Sequence, residues 1–226
     1  TGSIASSVTV GSTTPGVSGI LRPGTNVGVG HGTLTIAGNL TVNTGSQVQL
    51  SLGAPTLLST GYQTAMANGS AVNALDYLTQ NGAEVAVWNV APVNASDSDY
   101  INITGALSTP SIGDRASGTY GDGSILVSAG TGFNGAYGSV YNLIDWLTMA
   151  NITGGFDTGV FNIYDASGNV IAGDLDLPTL GAGMSWDVSA FAKYGVIVAV
   201  PEPGRAMLLF LGLGALIMRR RRRAAR

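Results

Sequence analysis

The chain has no cysteine and a single histidine, His31, and its first 200 residues hold only three cations, Arg22, Arg115 and Lys193. Without cysteine there is neither a disulfide framework nor a thiolate metal site, and oxidation state says nothing about compartment. Charged side chains make up 10% of the chain, well under half of the roughly 25% of an ordinary soluble domain. Catalysis needs groups that can be poised, and few are on offer. The chain order supports no Ser–His–Asp arrangement, and His31, between Gly30 and Gly32, reads as a solvated loop histidine. Proline is sparse too, at 8 residues. What the chain has instead is glycine, 34 of 226 residues, about twice the usual ~7%. At 45% hydrophobic it can still bury a core, which excludes wholesale disorder. The length suits one elongated β domain or two small domains.

The net charge of −3 hides an asymmetry. Residues 1–200 carry twelve acids against three cations, −9, whereas residues 201–226 carry Glu202 against seven arginines, +6. An acidic body with a basic tail points to two environments. In the tail, Ala206, Met207, Leu208, Leu209, Phe210, Leu211, Gly212, Leu213, Gly214, Ala215, Leu216, Ile217 and Met218 form a run without a polar side chain. Arg219, Arg220, Arg221, Arg222 and Arg223 follow directly. As a helix, that apolar run is about 20 Å long. Extended to 204–223 it reaches about 30 Å, the thickness of a hydrocarbon core, with Arg205 and Arg219 at the two headgroup layers. The pattern predicts a C-terminal transmembrane α-helix acting as a membrane anchor, with the arginine cluster cytoplasmic and the body translocated. A core helix with a nucleic-acid-binding tail fits less well, because the Leu/Gly/Ala run has no amphipathic period and the acidic body repels phosphate. No nucleic-acid partner is expected. The chain starts at Thr1 with neither a basic n-region nor an apolar h-region, which fits a removed signal peptide or the C-terminal piece of a longer protein; the first residues read as mid-repeat, which favours the second.

Directly before this run stand Pro201, Glu202 and Pro203. The order of motif, apolar stretch and terminal arginine cluster resembles the PEP-CTERM sorting signal of Gram-negative bacteria, over residues 201–226. Gly204 stands where that family more often carries Ser, Thr or Ala. The resemblance implies a partner, the membrane protease exosortase, which recognises Pro201-Glu202-Pro203 and processes the protein near it. It also implies a localisation: anchored in the inner membrane before processing, then at the cell surface or in the exopolysaccharide matrix. The two prolines forbid helix before Gly204 and favour extended backbone at Glu202. A protease that binds its substrate as a strand would find the segment already extended.

The body reads as strands. Leu34-Thr35-Ile36, Leu40-Thr41-Val42 and Val48-Gln49-Leu50-Ser51-Leu52 alternate apolar and polar, and Gly32, Gly38-Asn39 and Gly53 punctuate them. Such short strands bury their inward side chains best as successive rungs of a coil, which favours a β-solenoid over a β-sandwich. Ser18-Gly19-Ile20-Leu21-Arg22-Pro23-Gly24 and the stretch from Gly32 to Val42 resemble the autotransporter-associated β-strand repeat. That resemblance implies a right-handed parallel β-helix. Between the strands, Val72, Leu75 and Leu78 at spacing three, with Ser70 as N-cap and Gly82 past the end, predict one short helix over 70–80. Val85-Ala86-Val87-Trp88-Asn89-Val90, 100–103 and 125–127 predict strands, and 140–147 fits strand or helix equally. Further strands are expected at 161–164, 170–172, 175–177, 186–188 and 195–200, with 165–168 a turn. Trp186, Phe191 and Tyr194 would close the open end of the solenoid as a cap from about 160.

Chemistry was sought in the polar clusters. A glycosidase needs two carboxylates, and Asp97 with Asp99, and Asp174 with Asp176, each put two acids at spacing two; solvated turn positions explain both pairs more simply. A polysaccharide lyase would need Arg22, Arg115 or Lys193, which are far apart in the chain. No cofactor is expected. If a metal binds, calcium is the one that suits the carboxylates of Gly113-Asp114-Arg115 and Gly121-Asp122-Gly123-Ser124. Trp88, Trp146 and Trp186 could stack on sugar rings, although core burial is their more usual fate.

The sequence therefore predicts an all-β protein, with a right-handed parallel β-helix over 1–200 and a sorting signal with a transmembrane helix over 201–226. Its expected role is that of a non-catalytic, adhesin-like protein of the cell surface or biofilm matrix that contacts exopolysaccharide or copies of itself. Two alternatives are a secreted carbohydrate-active enzyme and a permanently anchored membrane protein.

Overall fold

Short runs of Val, Ile, Leu and Thr, broken by Gly and Asn, make most of the secondary structure. The computed structural model describes residues 2–12, 14, 17–24, 31–43, 46–91, 98–108, 125–146, 163–164, 170–172 and 175–202. Seven strands come first: β1 (Gly2–Ile4), β2 (Val8–Val10), β3 (Ile20–Leu21), β4 (Thr33–Ile36), β5 (Leu40–Val42), β6 (Gln47–Leu52) and β7 (Leu57–Leu58). Three helices follow, α1 (Thr60–Asn68), α2 (Ala74–Gln80) and α3 (Gly82–Trp88). The chain then returns to strands with β8 (Tyr100–Ile103), β9 (Leu107–Ser108), β10 (Ile125–Ala129), β11 (Ser139–Asn142) and β12 (Ile144–Trp146). Next are β13 (Ile163–Tyr164), β14 (Val170–Ala172), β15 (Leu175–Asp176) and β16 (Met184–Asp187). The one-turn α4 (Phe191–Tyr194) and β17 (Val196–Pro201) come last.

Three small sheets are parallel, with orders β1-β4-β8-β12, β2-β5-β9 and β15-β10-β6-β3. Their register sets apolar residues side by side. Ile36 lies opposite Ile103, Leu40 opposite Leu107, and Ile125 opposite both Val48 and Leu175. All seven are fully buried, and each such side chain contributes roughly 1.5–3 kcal/mol relative to exposure. The remaining sheets are antiparallel: the hairpin β13-β14, and a four-stranded sheet of order β16-β17-β11-β7.

The four-stranded sheet is a wall between two cores. Successive residues of a strand face opposite sides. Ile197 and its partner Tyr141 join the aliphatic core of the parallel sheets, whereas Val196, Val198, Val200 and Val140 join an aromatic core with Tyr62, Tyr77 and Trp88 from the helices. This explains why 196–200 is an unbroken apolar run. Gly195 makes the entry to β17: its φ is +67, and an added Cβ would land on the Ile144 carbonyl.

The all-β, right-handed parallel β-helix predicted above is corrected by this arrangement, as is the β-sandwich. The fold is mixed α/β, with parallel and antiparallel sheets and a helical insertion. The strand predicted over 85–90 is instead helix α3 through Trp88: the inward residues are Val85 and the fully buried Trp88, three apart, with both Ala86 and Val87 exposed, which is helical spacing, and Trp88 packs against Tyr62 and Tyr77. The single helix predicted over 70–80 begins later: Asn73 is the N-cap, Val72 is exposed, and Gly82 opens α3 rather than ending α2. Helix α1 was not expected at all. The segment 140–147, open between strand and helix, forms β11 and β12, and the predicted turn at 165–168 lies outside the described residues. Trp186, Phe191 and Tyr194 do pack, but against the two cores rather than over a solenoid end.

The C-terminal transmembrane anchor predicted above is not supported. No helix among the described residues is long and apolar enough to cross a membrane. The apolar run 206–218 and the arginine cluster 219–223 lie outside the described residues.

Candidate functional site

Local N-caps start the two helices α1 and α2, and side chains from a distant part of the chain brace them. Ser59 caps α1 by accepting from the Tyr62 N–H at 3.2 Å, and Asn73 caps α2 by accepting from the Asp76 N–H at 2.8 Å. Asp187, at the end of β16, reaches across. Its Oδ2 accepts from the Ala74 N–H and from the Tyr62 hydroxyl, both at 2.6 Å. Ser189 donates to the other carboxylate oxygen through its N–H at 3.0 Å and its hydroxyl at 2.7 Å, and accepts from the Leu75 N–H at 3.0 Å. Burial first, and then the Asp187 carboxylate, push the Tyr62 phenol well above its ordinary range.

Between these helices lies a cleft of about 470 Å³ lined by Thr60, Gly61, Thr64, Ala65, Asn68, Ser70, Tyr77, Gln80 and Asn81. None of the nine is charged. On α1, Thr60, Thr64 and Asn68 are four residues apart, and on α2 Tyr77 and Asn81 are likewise, so each helix presents one stripe. Several of these side chains are held by bonds to their own helix or to a neighbouring lining residue. Gln80 donates to Asp76 Oδ1 at 2.8 Å, Asn81 donates to the Tyr77 carbonyl at 2.9 Å, and Asn68 Oδ1 accepts from the Ser70 N–H at 2.9 Å. The Gln80 amide, followed by the Val72 N–H, holds the Asp76 carboxyl below its usual range. Sequence reading missed this group. Its signal, hydroxyls and amides at helical spacing after a Ser N-cap, was present in 59–68.

A second polar centre ties strands together. Asp99, 4% exposed, accepts from the Gly32 N–H and the Ser51 N–H, each at 2.7 Å. Burial raises its carboxyl above the ordinary value, opposed by those two N–H groups and by nearby His31. His31 is half-buried rather than solvated: its Nε2 lies 3.3 Å from the Thr131 carbonyl, and its Nδ1 is buried with no partner.

The other predicted residues are dispersed. Pro201 is the exposed last residue of β17, opposite Met184, and the Glu202 N–H donates to the Gly183 carbonyl at 2.9 Å. The backbone there is extended, but it belongs to a sheet; Pro203 lies outside the described residues. The inner-membrane anchoring expected before processing loses its support with that helix. Asp97, Asp114, Arg115, Asp122 and Asp174 lie outside the described residues, and Asp176 sits on β15. Asp97–Asp99 and Asp174–Asp176 are thus not seen as pairs. Arg22 donates to Gln49 Oε1 at 2.6 Å, and the Lys193 ammonium lies 5.0 Å from the Tyr194 ring centroid. Trp88 is core, Trp186 donates to the Pro178 carbonyl at 2.8 Å, and Trp146 sits on β12. Among the described residues no three His, Cys, Asp or Glu side chains gather as a metal site. Compared with known proteins, the chain matches no family model, no curated protein and no solved structure.

Proposed function

We propose that this chain is a non-catalytic, exported structural protein of the cell surface or extracellular matrix, adhesin-like and associated with exopolysaccharide. In this reading an exosortase sorts and processes it through Pro201, Glu202 and Pro203. The observation that carries the reading is the order of three features at the C-terminal end: the Pro-Glu-Pro motif, the apolar stretch 206–218, and five consecutive arginines at 219–223. An exposed Pro201 at the end of β17 supports it, because a protease that takes its substrate as a strand needs only to draw this already extended end away from β16. The low charge of the body suits weak contacts repeated over many copies better than chemistry on one substrate.

Intact mass spectrometry tests the processing step. Expressed in a Gram-negative host that carries an exosortase, the mature surface-associated protein is expected to end near Glu202. Glu202→Ala protein is expected to keep its full tail. Mature wild-type protein that retains Arg226 throughout would overturn the reading.

A further inference from the structure

We propose that the cleft between α1 and α2 binds a neutral sugar unit of a polysaccharide. The chemistry of the lining selects the ligand by exclusion. A phosphate, sulfate or uronate would find no cation among the lining residues, and Asp76 on the adjoining face of α2 would repel it. A metal ion would find no carboxylate in the lining, and a lipid or other apolar ligand would strand its hydroxyls and amides. A neutral polyol meets none of these objections, because its hydroxyls both donate and accept.

The polar ends that face no protein partner fit that need on both counts. Asn68 Oδ1 is occupied by Ser70, which leaves its Nδ2 to donate. The Gln80 and Asn81 amide nitrogens are occupied by Asp76 and the Tyr77 carbonyl, which leaves their oxygens to accept. Because the bonds already made lock these side chains, little rotamer freedom is lost on binding. Gly61 lets Tyr77 come close to α1 at the cleft: a Cβ there would meet the Tyr77 hydroxyl. At about 470 Å³ the volume falls within the span of small-molecule sites, roughly 300–1,000 Å³. One such site per copy would give the multivalent contact with polysaccharide that the proposed function requires, and the inference rests on that reading for the source of the sugar.

The test is calorimetric titration of the full chain with cellotetraose, maltotetraose and mannotetraose, with tetragalacturonate as the charged control. At least one neutral tetrasaccharide is expected to bind saturably, and tetragalacturonate more weakly. Asn68→Ala with Gln80→Ala removes two exposed side chains and is expected to weaken binding about tenfold or more, as the loss of two hydrogen bonds implies. Thr64→Trp, which fills the cleft, is expected to abolish it. Near-UV circular dichroism checks that each variant is folded. No saturable binding by any neutral probe, equal affinity in both variants, or preference for tetragalacturonate would overturn the proposal. Failure here is separable from failure of the sorting reading. Normal C-terminal processing without sugar binding removes only the cleft, and sugar binding by protein that keeps Arg226 removes only the sorting.

Discussion

The core enclosed by the parallel sheets and the core beneath the helices bury their surface by different means. In the first, aliphatic side chains repeat from strand to strand, as Ile36 beside Ile103 and Leu40 beside Leu107, and rings join only where Phe133, Tyr141, Trp186 and Phe191 pack against them. In the second, three large rings do most of the filling. Tyr62 meets Tyr77 and Trp88 edge-on at 5.6 Å, and Tyr77 lies 5.5 Å from Trp88. Backbone bonding differs in the same way. The ladder satisfies most of its own N–H and C=O groups and takes a side-chain acceptor, Asp99, at Ser51, whereas the ends of short helices depend on side chains throughout. Asp187 and Ser189 meet that need for α2. A laddered core spreads its stability over many equivalent contacts, and a ring-and-cap core concentrates it in a few residues.

The largest expected effect tests that concentration. Trp88→Ala should cost about 3–5 kcal/mol, against about 0.5–1.5 kcal/mol for Ile103→Val in the ladder. Urea unfolding followed by far-UV circular dichroism measures both. A Trp88→Ala cost no greater than that of Ile103→Val would mean that the helical core is not concentrated in its rings.

The two carboxylate staples sharpen the comparison at smaller scale. Asp99 bonds two backbone N–H groups, those of Gly32 and Ser51, which cannot turn away. Asp187 likewise has one backbone N–H on each oxygen, those of Ala74 and Ser189, with a rotatable hydroxyl beside each, but it is half-buried where Asp99 is 4% exposed, so water can reach a group left unpaired there. An Asn at either position offers one acceptor and turns an NH₂ toward the remaining donor. Asp99→Asn should therefore cost about 1–3 kcal/mol, the penalty for one buried unpaired N–H, and Asp187→Asn less. Urea midpoints of the two variants decide the order, and the reverse order would place the stronger staple in the helical region.

How much of this was legible depended on where each structure is decided. Leu34 to Ile36, Leu40 to Val42 and Val48 to Leu52 were readable as strands because period-two alternation is a local signal, and β4, β5 and β6 form there. The segment 85–90 is rich in Val and Trp, which favour strand, yet α3 forms through Trp88, because the burial of that ring against Tyr62 and Tyr77 outweighs local preference. The run 196–200 reads equally as a parallel or an antiparallel strand. Only its partners β11 and β16 decide, and they lie some 10 to 60 positions away. The cleft depended on the same missing step. Thr60, Thr64 and Asn68 become neighbours only once α1 is known to be a helix. The tail motifs at 201–226 needed no fold to be read, since each is a contiguous string.

The smallest effect asks whether the two regions unfold together. The unfolded chain ionises Tyr62 at its ordinary value of 10.0, while in the folded chain burial and Asp187 hold that phenol protonated to higher pH. The stability tied to this group is therefore complete below pH 10 and is lost as pH rises beyond it, at about 1.4 kcal/mol per pH unit. Tyr62→Phe removes the linkage. Burial likewise raises Tyr100 and Tyr141, the latter to about 12, but both remain in the variant and cancel in the difference. Between pH 10 and 11 the stability of Tyr62→Phe, measured by urea unfolding, should fall less steeply than that of wild type by about that slope. Equal slopes would mean that Tyr62 reaches solvent while the parallel sheets are still folded. The Asp187 bond would then be a latch that opens on its own, and the shared wall of β11 and β17 would not make one cooperative unit of the two cores.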